Sequence, residues 1–99
     1  MIIVRNIFRL KFGKAKDAAA IVPEFVAFNK KYGVKYTRVL TDITGDSYTM
    51  VFETGHDSLA DFETKIKSLL SVPEWGAMYS KFIPFAESAY REILNVVSE

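Results

Sequence analysis

Apolar and polar side chains alternate over residues 2–12. Ile2, Val4, Phe8, Leu10 and Phe12 point one way with Asn6 among them, while Ile3, Arg5, Ile7, Arg9 and Lys11 point the other. A period of two belongs to a β-strand, so this stretch predicts a strand with one apolar face and one mixed face. The period then changes. Ala18, Ile21, Val22, Phe25, Phe28 and Tyr32 recur at helical spacing with Lys16, Asp17, Glu24, Lys30 and Lys31 between them, and Gly33 follows as a stop signal. That predicts an amphipathic helix. Pro23 lies inside it and has no N–H to donate, so the helix kinks there or its regular part starts late.

Residues 34–43 and 46–54 are rich in Val, Tyr, Thr and Phe, and the short Thr44-Gly45-Asp46 turn joins them as a hairpin. In its second arm Tyr48, Met50 and Phe52 share one face, opposite Ser47, Thr49, Val51 and Glu53. Asp57 or Ser58 can then cap a helix whose apolar stripe is Leu59, Phe62, Ile66, Leu69 and Leu70. Val72-Pro73-Glu74 restarts the chain as a shorter helix carrying Trp75, Met78, Tyr79 and Phe82, and Pro84 ends it before a last strand over residues 87–97.

The predicted order is β-α-β-β-α-α-β, the split βαβ arrangement of ferredoxin-like α+β folds. It implies a single domain over residues 1–99, with a four-stranded antiparallel sheet carrying its helices on one face. The other sheet face would hold Ile3, Arg5, Ile7 and Arg9 of the first strand, Val51 and Glu53 of the third, and a mixed last strand containing Arg91 and Glu92. A solvated face rarely carries so many branched aliphatics, and a monomer core rarely carries arginines. A homodimer joined through this face, with Arg to Glu pairs in the interface, satisfies both.

Composition sharpens the same expectation. A chain of 99 residues that is 49% hydrophobic and 14% aromatic is too small to hide all of its apolar surface alone. A formal charge of +1 lacks the electrostatic footprint of a nucleic-acid binder. With no cysteine there is no disulfide framework, no thiolate metal site and no cysteine nucleophile, so a cytoplasmic home is simply the default. No apolar run approaches the roughly 18 residues that cross a bilayer, and the first residues lack the pattern of a secretory signal. Phosphate loops, nucleophile elbows, zinc-protease and calcium-loop motifs are all absent from the sequence, and neither a cofactor nor a metal is expected.

A few residues are candidates for chemistry. Asn6 is the one polar side chain on the apolar face of the first strand, and an unpartnered buried amide costs roughly 1–3 kcal/mol. It is either bonded to a neighbour or aimed into a pocket, where it could hold a substrate carbonyl or O₂. His56 is the sole histidine and the natural general base near neutral pH, placed in a loop before a helix where a capping or surface role is the alternative. Trp75, Tyr79 and Phe82 would line one side of a pocket if the short helix folds over the sheet. Phe8 of the first strand and Tyr36, Tyr48, Met50 and Phe52 of the hairpin are the expected contributors from the other side. The same aromatics could equally be plain core. Arg38 reads as an ion-pair residue or as a positive charge for an enolate.

Val4-Arg5-Asn6-Ile7-Phe8-Arg9-Leu10 with Gly13-Lys14, the aromatic hairpin arm, and Val72-Pro73-Glu74-Trp75 leading through Phe82-Ile83-Pro84 into Ser88-Ala89-Tyr90-Arg91-Glu92-Ile93-Leu94 resemble the dimeric α+β barrel superfamily. Within it the chain is most similar to NIPSNAP-like proteins, with the antibiotic biosynthesis monooxygenases as near relatives. The resemblance spans nearly the whole chain and implies a pocket between helices and sheet in each subunit of a dimer. Haem-degrading members of the superfamily use an asparagine, a tryptophan and a histidine. Here Asn6 matches the first, but Phe62 and Tyr79 stand at the other two positions, which argues against that activity. The reading that follows is a homodimer binding a small, largely apolar or aromatic molecule. A cofactor-independent monooxygenase acting on an activated aromatic or polyketide-like substrate is one alternative, and a structural or stress-associated module without a ligand is another.

Overall fold

The computed structural model describes residues 1–99, and its first element is the strand β1 (Ile2–Leu10). The helix expected next is two pieces, α1 (Ala15–Ala19) and α2 (Val22–Lys31). Pro23 explains the break: it occupies the first turn of α2, where a missing N–H costs no helical hydrogen bond and the fixed φ suits the start of a helix. Gly33, at φ 78°, takes the left-handed conformation that ends the helical run.

The hairpin strands are β2 (Tyr36–Thr41) and β3 (Thr49–His56), separated by a longer connection than the sequence pattern implies. Local side-chain bonds organise that connection. Thr49 N donates to Asp42 Oδ1 at 3.0 Å and Thr49 Oγ1 donates to Asp46 O at 2.9 Å, which draws residues out of the ladder. At its other end β3 runs two residues further than expected and takes in His56. Helix α3 (Leu59–Leu70) follows, capped by Ser58, whose Oγ accepts from Asp61 N at 3.1 Å. Helix α4 (Pro73–Phe82), a short 3₁₀ turn (Ile83–Phe85) and β4 (Ala86–Asn95) complete the chain.

The strands lie in the order β2-β3-β1-β4, antiparallel throughout, so the fold is the expected ferredoxin-like α+β arrangement. Register fixes the faces. Val4 pairs with Thr54, Asn6 with Phe52 and Phe8 with Met50, which aligns these side chains toward the helices. Leu10, Ala18, Met50, Phe52 and Phe82 form the packed core there, and Phe8 meets Phe82 and Phe52 edge-on at 4.8 and 5.5 Å.

The outer face carries Ile3, Arg5, Ile7 and Arg9 beside Val51 and Glu53, as anticipated. Ile7, Val51 and Glu53 are already buried within the single chain. Glu53 accepts from Arg38 Nη2 at 2.7 Å and from the Tyr36 hydroxyl at 3.1 Å, and lies 3.4 Å from Arg5 Nε. The Arg to Glu pairs expected between subunits are therefore formed within one chain, because the antiparallel register sets Arg5 and Arg38 on either side of Glu53. Arg91 also departs from expectation: it pairs across from Asn6 and faces the helices, while its neighbour Glu92 faces outward beside Arg5. Gly55 lets Tyr36 lie across this face, since a Cβ there would sit 2.9 Å from Tyr36 Cβ.

Candidate functional site

Helix α3 is amphipathic, yet none of its 12 residues is buried. Its apolar stripe is only partly covered, Phe62 meeting His56 at 5.0 Å between ring centroids. Phe62, Ile66, Leu69 and Leu70 form one wall of a cavity of about 380 Å³ between the helices and the inner face of the sheet. Trp75, Met78, Tyr79 and Phe82 of α4 make a second wall, Phe25 of α2 a third, and the floor is β1 and β3. Thirteen of the 19 lining residues are hydrophobic, so the polar ones can be considered one at a time.

Of the residues singled out from the sequence, Asn6, His56, Phe8, Phe52, Trp75, Tyr79 and Phe82 all line this cavity. Tyr36, Tyr48 and Met50 do not. Tyr36 is on the opposite sheet face, with its hydroxyl donating to Glu53, because the strand period places it there. Tyr48 precedes β3 at φ 63° and packs against the core and against Phe12, 5.1 Å between ring centroids. Within α4, Trp75 and Tyr79 stack nearly parallel with centroids 5.7 Å apart, one helical turn separating them.

Asn6 Oδ1 accepts from Arg91 Nε at 2.7 Å, and since an arginine can only donate, the amide orientation is determined. Its Nδ2 makes no hydrogen bond within the chain and is free to donate into the cavity. Arg91 is further held by the ring of Phe62, 5.6 Å from its guanidinium carbon. Neither Arg91 nor Phe62 was expected beside Asn6 as a partner, since their meeting depends on the register of β1 and β4.

His56 is not in a loop, as its place before a helix suggested, but is the last residue of β3, 4% exposed and against Phe62. Its Nε2 is 2.9 Å from Thr54 Oγ1, and its Nδ1 faces Asp61 Oδ2 at 3.9 Å, too far for a hydrogen bond. The Asp61 charge favours the tautomer with the proton on Nδ1, leaving Nε2 to accept from the Thr54 hydroxyl. Burial lowers the His56 pKa below its usual value, with the Asp61 carboxylate opposing, so the imidazole is neutral at physiological pH. Thr54 was not anticipated as a lining residue. The signal lay in the sequence: continuing the alternation Tyr48, Met50, Phe52 by two steps reaches Thr54 and His56. Elsewhere on the wall, the buried Asn29 amide is satisfied by Thr37 Oγ1 at 3.2 Å. No three His, Asp or Glu side chains converge as a metal set anywhere in the chain.

No family profile matches the sequence, and no curated protein does either. Solved structures match its fold closely. A NIPSNAP family protein from Agrobacterium tumefaciens superposes with a TM-score of 0.86 at 21% identity, over 95% of this chain and 90% of that one. A NIPSNAP-like domain protein from Burkholderia xenovorans, itself uncharacterized, gives 0.87 at 23% identity over 98% and 85%. An antibiotic biosynthesis monooxygenase gives 0.77 at 11% identity over 99% and 100%. At such identities the likeness is one of fold, and by fold this chain is a ferredoxin-like α+β protein of the kind seen in NIPSNAP and antibiotic biosynthesis monooxygenase structures, as the resemblance implied.

Proposed function

We propose that this protein binds a small, largely apolar or aromatic molecule in the cavity between α3, α4 and the sheet. The observation that carries this reading is the partly covered stripe of α3, an apolar helix face with no buried residue and an open volume beneath it. About 380 Å³ lies within the range of small-molecule sites, roughly 300–1,000 Å³. A bound apolar molecule would supply the contacts that the chain itself does not. The same volume weighs against a ligand-free structural module, which would fill the space with side chains. Trp75 is the only tryptophan and lines the cavity, so it reports on occupancy. Titration with the neutral fluorescent probe N-phenyl-1-naphthylamine should quench Trp75 saturably at one site per chain. Absence of saturable binding at micromolar probe would remove the reading.

The protein acts, in the same proposal, as a homodimer joined through the outer sheet face. The charges of Arg5, Arg38, Glu53 and Glu92 there are already paired within the chain, which lowers the cost of covering them, and Tyr90 and Leu94 on the same face are 63% and 45% exposed. Light scattering at micromolar concentration should give twice 11.2 kDa, and a clean monomer would overturn the dimer.

A second reading, cofactor-independent oxygenation of an activated aromatic, is favoured by the neutral His56 and the free Asn6 amide on one cavity wall. Nε2 of His56 would take the Thr54 hydroxyl proton as that oxygen takes one from an acidic C–H of the substrate, and the resulting enolate would react with O₂. One oxygen atom ends as a new carbonyl on that carbon and the other leaves as water, so the substrate supplies all the electrons. Oxygen uptake with an anthrone tests it. A rate no faster than buffer, or full activity in His56→Ala, would exclude the assigned roles.

A further inference from the structure

The charged side chains lining the cavity are both cations, Lys65 and Arg91, and no carboxylate joins them. The two are not equivalent. Lys65 Nζ is 3.7 Å from Asp61 Oδ1 and donates to Gly33 O at 3.1 Å, so its charge and donors are largely engaged. Arg91 contacts only the Asn6 amide oxygen and the Phe62 ring, and its sequence neighbour Glu92 is turned to the other sheet face toward Arg5. By contrast, both Arg5 and Arg38 have a carboxylate partner within the chain.

The contacts of Arg91 also fix its orientation. Its Nε is committed to Asn6, and its guanidinium carbon lies over the Phe62 ring. That leaves the Nη1 and Nη2 edge without an acceptor, next to an Asn6 Nδ2 that also lacks one. The result is a group of donors, one carrying full charge, at the rim of an apolar cavity. A carboxylate is the complement: two oxygens that accept in parallel from the guanidinium edge, with lone pairs to spare for the amide.

Building on the binding reading above, we propose that the ligand of this cavity is an aromatic or apolar carboxylic acid, its carboxylate held by Arg91 and Asn6 and its body against α3 and α4. Asn6 has two tasks in this site: its oxygen orients Arg91 and its nitrogen reaches the ligand. Lys65, neutralised by Asp61, lends no second strong anion contact, so the site is selective for a monoanion.

The test compares 2-naphthoic acid with 2-naphthamide, which share a ring body and differ in charge, by Trp75 fluorescence at neutral pH. The acid should bind the wild-type protein roughly tenfold or more tightly than the amide. In Arg91→Gln the acid should lose roughly tenfold more affinity than the amide, so that the preference vanishes, and Arg91→Lys, which keeps the charge but loses the planar fork, should recover only part of the preference. Equal binding of acid and amide by the wild-type protein overturns the inference without any variant, and so does a preference that survives Arg91→Gln. If neither compound binds, the cavity reading itself fails and the inference falls with it, an outcome distinct from amide binding without preference for the acid.

Discussion

Replacing Ile66 by phenylalanine fills the cavity from its own wall, and the expected result is a more stable protein that binds less. Ile66 lies on the α3 stripe, half-buried, with the open volume in front of it. Phenylalanine and isoleucine have similar helix propensities, so the helix itself is little affected. The larger side chain adds about three carbons, which at roughly 0.8 kcal/mol per buried CH₂ sets a ceiling of about 2 kcal/mol. The cavity is open on one side and the new ring loses some rotamer freedom, which brings the expected gain to about 1 kcal/mol. For a chain of this size that is a rise in Tm of about 4–8 °C.

The measurement is urea unfolding followed by Trp75 fluorescence and by circular dichroism at fixed protein concentration, since dimerisation makes stability concentration-dependent. The same variant should weaken N-phenyl-1-naphthylamine binding by at least roughly tenfold, because ligand and ring compete for one space. Leu10→Ala serves as contrast: Leu10 is 2% exposed in the packed core, and its truncation should cost about 2–5 kcal/mol. A loss of about 1 kcal/mol or more in Ile66→Phe would refute the reasoning, because overpacking penalties of that size arise where space is already taken. Stabilisation with undiminished binding would place the ligand elsewhere.

Burial holds the His56 pKa below the usual 6.5, so as pH falls through about 6.5 the unfolded chain takes up this proton before the folded one does. Its contribution to stability is complete above that pH and declines below it, by at most about 1.4 kcal/mol per pH unit, until the folded form also protonates; urea midpoints near pH 7.5 and 5.5 should differ less in His56→Gln than in wild type. Gly55→Ala should destabilise by about 1 kcal/mol by displacing Tyr36 from Glu53, despite the entropic advantage of alanine, and an unchanged midpoint would mean that Met1 and Tyr36 yield freely. Glu53→Gln should lose about 1–2 kcal/mol, less than a fully enclosed ion pair would, because the Arg5 and Arg38 side chains are 33% and 54% exposed and can regain water; thermal melts at two salt concentrations check this.

Element order, sheet composition and the inward set Val4, Asn6, Phe8 and Leu10 were legible because each rests on a local period that a single segment displays. What the sequence did not disclose required knowledge of two segments at once. Arg91 bonds to Asn6 across 85 positions of sequence, through a register that no local pattern encodes. Reading Arg91 and Glu92 as members of one mixed strand put both on the outer face, whereas successive strand residues must point to opposite sides. Tyr36 and Tyr48 went astray for related reasons: aromatic character marked them for a pocket, but strand phase assigns Tyr36 to the outer face and the backbone before β3 sends Tyr48 toward Phe12.

The α3 stripe marks a different boundary. Leu59, Phe62, Ile66, Leu69 and Leu70 announce an amphipathic helix, and periodicity says which way such a helix must face. It says nothing about how closely the opposing layer approaches. On α4, Met78 and Phe82 find that layer and are 3% and 5% exposed, while on α3 no residue is buried. Two helices with plain apolar stripes thus have different fates: α4 sinks Met78 and Phe82 into the interior, and α3 leaves its stripe partly exposed. Trp75 and Tyr79 extend the α4 stripe past the packed region and line the void instead, as does Arg91, which has no carboxylate partner. An apolar wall, a second aromatic wall and an unmatched donor edge border one cavity, which is why a single occupant with an apolar body and an acidic head is the ligand proposed for it.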